Sequence, residues 1–333
     1  MERDKYVQVS MVVRRMEMDL LPREKMQSLA SARDYDEALA LLQDTPYGKF
    51  RERMERKQDY ETMLNAALKE AYEEILSYLE DSEVVNILMV KYTLHNLKVF
   101  VKSKILDKDL SEIYYEFGLV DMSKFSEEFD RERFSEANDP YGKAAVAILK
   151  DYEENKDPHR VGLLFDQFYF QMLKEVVKPV PGTLMAHYVY DSIDFTNVKT
   201  AFRITAKNLT MSGKESALFE GGEISLHDFE AIYHKEIPDI VKTLRQTRIG
   251  SALEEGLRHY EETGELAAFD KAMEDYQVKL LAPGRKMTYG PEVVFGFLLA
   301  KEIEMRNLRI ILAGKLTGLD GPEMTQRLRD QYV

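Results

Sequence analysis

Apolar residues at helical spacing run through LNAALKEAYEEILSYL (64–79), LLFDQFYFQMLKEVV (163–177) and FDKAMEDYQVKLL (269–281), and each stretch predicts an amphipathic helix. The pattern is sharpest near the end of the chain. Gly290 can cap a helix there, Pro291 fits its first position, Glu292 complements the positive end of the dipole, and Gly314 is a natural stop. That places 23 residues, 291–313, in one helix, roughly 35 Å long at about 1.5 Å per residue.

Within this helix Ile303, Asn307, Ile310, Ile311 and Gly314 share a face, so an asparagine interrupts an apolar stripe. The trio Asn-aliphatic-base at its centre, in RNLRIILAGKL (306–316), occurs twice more, as HNLKVFVKSKIL (95–106) and TNVKTAFRITAK (196–207). The first of these stripes holds Tyr92, Asn96, Val99 and Phe100; the second holds Ile193, Asn197, Thr200, Ala201 and Ile204. The bases Lys98, Lys199 and Arg309 fall about 200° away and are expected to point outward. Each asparagine is also preceded, one turn earlier, by an acidic or hydroxyl residue: Thr93, Asp194 or Glu304.

A second marker precedes each trio. TPYGKF (45–50), DPYGKA (139–144) and TRIGSA (247–252) put Gly48, Gly142 and Gly250 at 48, 55 and 57 residues before Asn96, Asn197 and Asn307. The ordered pair of markers, repeating at 101 and 110 residues, is a domain period rather than that of a solenoid. It predicts three homologous helical domains, 1–108, 109–210 and 211–333. A half-buried amide must be hydrogen-bonded, because an orphaned one costs about 1–3 kcal/mol. Either each asparagine pins a neighbouring helix end or loop, such as the turn holding the block's glycine, or the three amide-bearing faces line a shared binding surface. The candidate partner-binding residues are therefore Asn96, Lys98, Asn197, Lys199, Asn307 and Arg309.

Composition sharpens the fold class to all-α. Gly and Pro together make 27 of 333 residues, about 8 % against roughly 12 % in average proteins. The net charge of −13 disfavours nucleic acid and anionic lipid as partners. With no cysteine, disulfides, thiolate metal sites and cysteine nucleophiles are excluded. MERDKYVQVS (1–10) has no signal-peptide pattern, and the apolar run VVFGFLLA (293–300) is closed by Lys301 and Glu302, so no transmembrane segment is expected. Short breaks at KPVPGT (178–183), TMSGKESALFEGGE (210–223) and LAPGRKMTYGPE (281–292) predict stiff connections.

Chemistry-bearing motifs are missing. The GK pairs at 314–315 and 213–214 have Arg309 and Asn208 where a phosphate-binding loop needs glycine. His227, Glu230 and His234 could share a helix face, but two imidazoles seven residues apart, about 10 Å along an axis, do not reach one ion. Acidic runs such as EEFDRERF (127–134) are the pattern of solvated faces. No GxSxG elbow and no DDxxD cluster is present, so no catalytic site, metal or cofactor is expected.

YGPEVVFGFLLAKEIEMRNLRIILAGKLTGL (289–319), followed by MTQRLRDQYV (324–333), resembles the C subunit of the A-type and bacterial V-type rotary ATPases, the counterpart of the eukaryotic d subunit. The opening segment YVQVSMVVRRMEMDLLPREKMQSLASARDYDEALALLQDTPYG (6–48) is similar to that family's, and LHNLKVFVKSKI (94–105) and FTNVKTAFRI (195–204) fall in the matching internal places. The resemblance implies three similar helical domains around a pseudo-threefold axis, forming a funnel or socket. It implies a noncatalytic subunit at the cytoplasmic face of the membrane that seats the central stalk on the membrane rotor ring. The implied partners are the central-stalk subunits and that ring. An all-helical scaffold binding peptides or proteins is the alternative.

Overall fold

The computed structural model describes residues 3–130, 139–180, 183–206, 218–232 and 234–332; most of the linker expected at 210–223, the GK pair at 213–214 and the second half of the acidic run at 127–134 lie outside them. Among the described residues there are helices and no strand. In order they are α1 (Val7–Glu17), α2 (Arg23–Ser31), α3 (Tyr35–Leu41), α4 (Tyr60–Leu76), α5 (Glu83–Leu106), α6 (Met122–Asp130), α7 (Pro140–Asn155) and α8 (Pro158–Val177). There follow α9 (Thr183–Ala206), α10 (Leu226–Glu230), α11 (Ile237–Thr243), α12 (Gly250–Thr263), α13 (Ala267–Leu281), α14 (Pro291–Thr317) and α15 (Gly321–Arg327).

Local chemistry sets several starts. Asp139 accepts from the Tyr141 and Gly142 amides ahead of Pro140, and Asp157 accepts from His159 ahead of Pro158, so α7 and α8 each begin with a side-chain cap and a helix-ready proline. Asp34, Ser225 and Asp320 cap α3, α10 and α15 in the same way. The predicted end of α14 is corrected: the helix runs past Gly314 to Thr317, and Gly318 (φ 77°) is its left-handed cap. Gly314 is glycine for another reason, since a Cβ there would lie 2.5 Å from the Met324 sulfur where α15 packs.

The helices that carry the asparagines are not one-faced. In α14, 20 of 27 residues are buried, and in α5, 14 of 24. A helix apolar all round is an interior helix. By length and composition α5 could cross a membrane, but 78 % of its apolar window is buried against other helices of the chain.

The chain divides into two compact units, residues 83–180, and residues 1–82 with 181–333. The unit 83–180 begins with α5, which packs on α6, α7 and α8 around Phe100, Phe125, Phe129 and Phe165. In the other unit α9 packs on α10, α11 and α13, with Phe195, Phe202, Phe229, Ile240, Leu253 and Phe269 in its core. There α14 packs on α1, α2, α3 and α4. Each asparagine helix thus ends one sequence block and forms the core of a different one. Packing and sequence repeat are out of phase by one helix.

The first and third glycine markers form the same turn. Thr45 Oγ1 donates to Leu42 O at 2.6 Å and Gly48 N donates to Thr45 O at 3.0 Å; Thr247 Oγ1 donates to Leu244 O at 2.6 Å and Gly250 N donates to Thr247 O at 3.0 Å. A Cβ on Gly48 would lie 2.1 Å from Gln43 O, and one on Gly250 would lie 2.2 Å from Arg245 O. Carbonyl oxygens on the backbone cannot swing aside as a side chain can. Gly48→Ala and Gly250→Ala should each lower unfolding free energy by about 1–3 kcal/mol, the cost of overpacking, in a denaturant titration.

Candidate functional site

The three asparagines are buried, at 1 %, 0 % and 0 % exposure. Each pairs both ends of its amide with one backbone residue. Asn96 Nδ2 donates to Tyr115 O (2.9 Å) and its Oδ1 accepts from Tyr115 N (2.8 Å). Asn197 does the same with Phe219 (2.9 and 2.8 Å), and Asn307 with Arg329 (3.1 and 2.8 Å). A primary amide presents the donor and acceptor of a peptide group side by side, so each asparagine stands in for a backbone partner inside an apolar seam. The pinned residue lies 19 or 22 positions downstream, and is not the turn holding the block's glycine.

The acceptor one turn earlier works with it. Thr93 Oγ1 accepts from Leu119 N (2.7 Å), shortly before α6. Asp194 accepts from Glu223 N (2.9 Å) and Ile224 N (3.2 Å), shortly before α10. Glu304 accepts from Leu21 N, shortly before α2, and from the Tyr47 hydroxyl (2.6 Å). The third helix therefore holds the entry to α2, 283 residues upstream, as the other two hold the entries to the helices that follow them.

The bases are half-buried rather than fully outward, and each meets an acid inside the chain. Lys98 lies 3.8 Å from Asp166 of α8 and over the Phe165 ring, Lys199 pairs with Asp270 of α13, and Arg309 binds Glu61 of α4 (2.8 Å) and Asn65 (3.0 Å). Asn, acceptor and base thus act as one set on each helix.

Several participants are not signalled by the repeat. Lys301 of α14, 7 % exposed, bonds Glu304 (2.8 Å) and lies over the Tyr47 ring, and Glu302 accepts from the Tyr72 hydroxyl (2.5 Å). Asp191, fully buried, accepts from Arg248 Nε and the Tyr276 hydroxyl, both at 2.7 Å. Burial raises Asp191 above its ordinary value despite these partners, and burial pushes Asp194 up to about 7 against the pull of its two backbone donors. Of these, Tyr47 inside the TPYGKF marker, and Asp194 and Glu304 one turn before their asparagines, are visible in the sequence as part of a pattern. The metal geometry considered at 227–234 does not form: α10 stops at Glu230, so His234 is not on its face. Among the described residues no group of three His, Asp or Glu side chains is placed to hold an ion.

Two measurements check this account. Asn197→Leu strands the N–H and C=O of Phe219 and should cost about 1–3 kcal/mol for each orphaned group, read by denaturant unfolding, with Asn96→Leu and Asn307→Leu behaving alike. Asp194 holds its proton in the folded state up to about pH 7, while in the unfolded chain it ionises near ~3.9. The folded state binds more protons in between, so this group's contribution makes stability fall as pH rises from about 4 to about 7, then level off. Asp194→Asn should flatten that slope in a series of unfolding curves.

Comparison with known proteins bears on these helices directly. The family profile described as "ATP synthase (C/AC39) subunit" matches residues 10–327, a span that includes all three asparagines, the partners Tyr115 and Phe219, and Leu21. The C subunit of the V-type sodium ATPase of Enterococcus hirae is 20 % identical over 327 residues, covering 98 % of this chain and 99 % of that protein. The C subunit of the A-type ATP synthase of Methanocaldococcus jannaschii is 24 % identical, covering 97 % and 86 %, and that of Halorubrum lacusprofundi is 26 % identical, covering 80 % of each. A match of this extent settles descent: the chain belongs to the ATP synthase C/AC39 subunit family.

Proposed function

We propose that this chain is a noncatalytic central-rotor subunit of a V/A-type rotary ATPase, seating the central stalk on the membrane rotor ring and passing torque between ATP turnover and ion movement. Three blocks, 1–108, 109–210 and 211–333, would stand around a pseudo-threefold axis as a socket, peripheral to the membrane at its cytoplasmic face. The observation that carries this reading is the cyclic order of the contacts. The first helix's acceptor holds the entry to α6, the second's the entry to α10, and the third's returns to the entry of α2. The bases follow the same order, to α8, α13 and α4. A cycle of equivalent joints suits a ring gripping a shaft. Joints made of buried, doubly paired amides are stiff, and a stiff coupling loses little torque to compliance.

In this reading Asn96, Asn197 and Asn307 hold the wall of the socket. Lys98, Lys199 and Arg309 offer the stalk whatever charge their intrachain acids leave uncompensated. The test uses the assembled ATPase in vesicles. Removing this chain should leave ATP hydrolysis by the soluble head while abolishing ATP-driven ion uptake. Retained uptake would overturn the proposal, as would failure of the chain to copurify with the stalk subunits. Exchanging the charges within each pair (Lys98 with Asp166, Lys199 with Asp270, Arg309 with Glu61) keeps the joints and alters the surface field. Tighter salt dependence of stalk binding is expected, and unchanged binding would remove the bases from the interface.

A further inference from the structure

The third pinned segment differs from the other two in where it leads. Tyr115 and Phe219 lie on segments that continue along the chain into α6 and α10. Arg329, pinned by Asn307, follows α15, whereas the helix whose entry Glu304 holds is α2, far upstream. Continuity across that joint is made by hydrogen bonds instead of peptide bonds. Gln331 Nε2 donates to Leu21 O at 2.7 Å, while Leu21 N donates to Glu304, so Leu21 is gripped on both sides of its backbone.

The rest of the segment is seated as firmly. Arg329 Nε bonds Glu274 (2.6 Å) and Asp330 N bonds Asp275 Oδ1 (2.6 Å), both on α13. Tyr332 is 5 % exposed. Its hydroxyl end packs where α14 has Gly296, whose Cβ would lie 3.0 Å from it, and Arg285 covers the ring at 5.4 Å. Burial pushes the phenol up to about 12.

We propose that residues 328–332 form a clasp lying in a peptide-binding slot built from α13, α14 and residues 20–21, and that the slot accepts an extended peptide carrying the Arg-Asp-Gln-Tyr order. Asn307 reads the backbone, the α13 acids read the arginine and the segment's next amide, and the space above Gly296 reads the tyrosine. The clasp joins the last long helix to the first block and can release without any covalent change. This rests on the contacts named here and not on the rotary role.

The experiment uses a chain lacking 328–333 and a fluorescent peptide of residues 327–333, followed by anisotropy. The shortened chain should bind the peptide saturably and the full chain should not, because its slot is filled. A Tyr332→Ala peptide, or Gly296→Leu in the shortened chain, should weaken binding tenfold or more. A folded shortened chain that ignores the peptide overturns the clasp, as does equal binding to both chains. Should the shortened chain fail to fold, amide exchange in the intact chain decides. Arg329 and Asp330 should be protected, with Arg329 losing protection at least tenfold in Asn307→Leu; exchange at the rate of an unstructured peptide overturns the proposal.

Discussion

A buried amide has to find a partner for its N–H and for its C=O at once, and in this protein that requirement is met three times by the C=O and N–H of one backbone residue. The pairing is directional and admits one register. A leucine at Asn197 would be compatible with the surrounding core and would leave the segment at Phe219 free to slide. An aspartate could accept but could not donate. The amide thus converts a greasy contact between helix and extended chain into a located one. From that point the acceptor one turn earlier and the base two residues later fall into place against the next stretch of chain.

The cost of such a design appears inside α14. Glu292, Lys301, Glu302 and Glu304 are each under 10 % exposed, and four charges in an interior helix are tolerable only when every one has a partner. Arg3 answers Glu292, Tyr72 answers Glu302, and Lys301 with Tyr47 and the Leu21 amide answers Glu304. Apart from Lys301, these partners come from the first block. The same polar groups that would weaken an isolated α14 therefore specify which helices it must lie among. That is specificity obtained from desolvation, and it accounts for charge carried by an interior helix.

The repeat and the packing are offset by one helix, and the offset has a physical sense. A block that kept its own long helix could fold and part from its neighbours. A block that lends its helix to the next bundle cannot be separated without exposing some of the most apolar surface in the chain, in α5, α9 or α14.

The amino-acid order alone determined the helical class, the three asparagine helices, and the glycine markers, because helical periodicity and close-approach glycines are local properties written in neighbouring residues. It also showed that Asn96, Asn197 and Asn307 had to be paired, since burial follows from the stripe around them. It did not show with what. Their partners are backbone groups, which every residue carries alike, so nothing at Tyr115, Phe219 or Arg329 announces the contact. The acids that meet Lys98, Lys199 and Arg309 are three among 59 carboxylates and were equally hidden. Helix ends went the same way: Gly314 reads as a stop in sequence, and only the approach of Met324 makes it an interior glycine. The tertiary structure decided which distant segments meet, because a hydrogen bond is specific in space and mute in sequence.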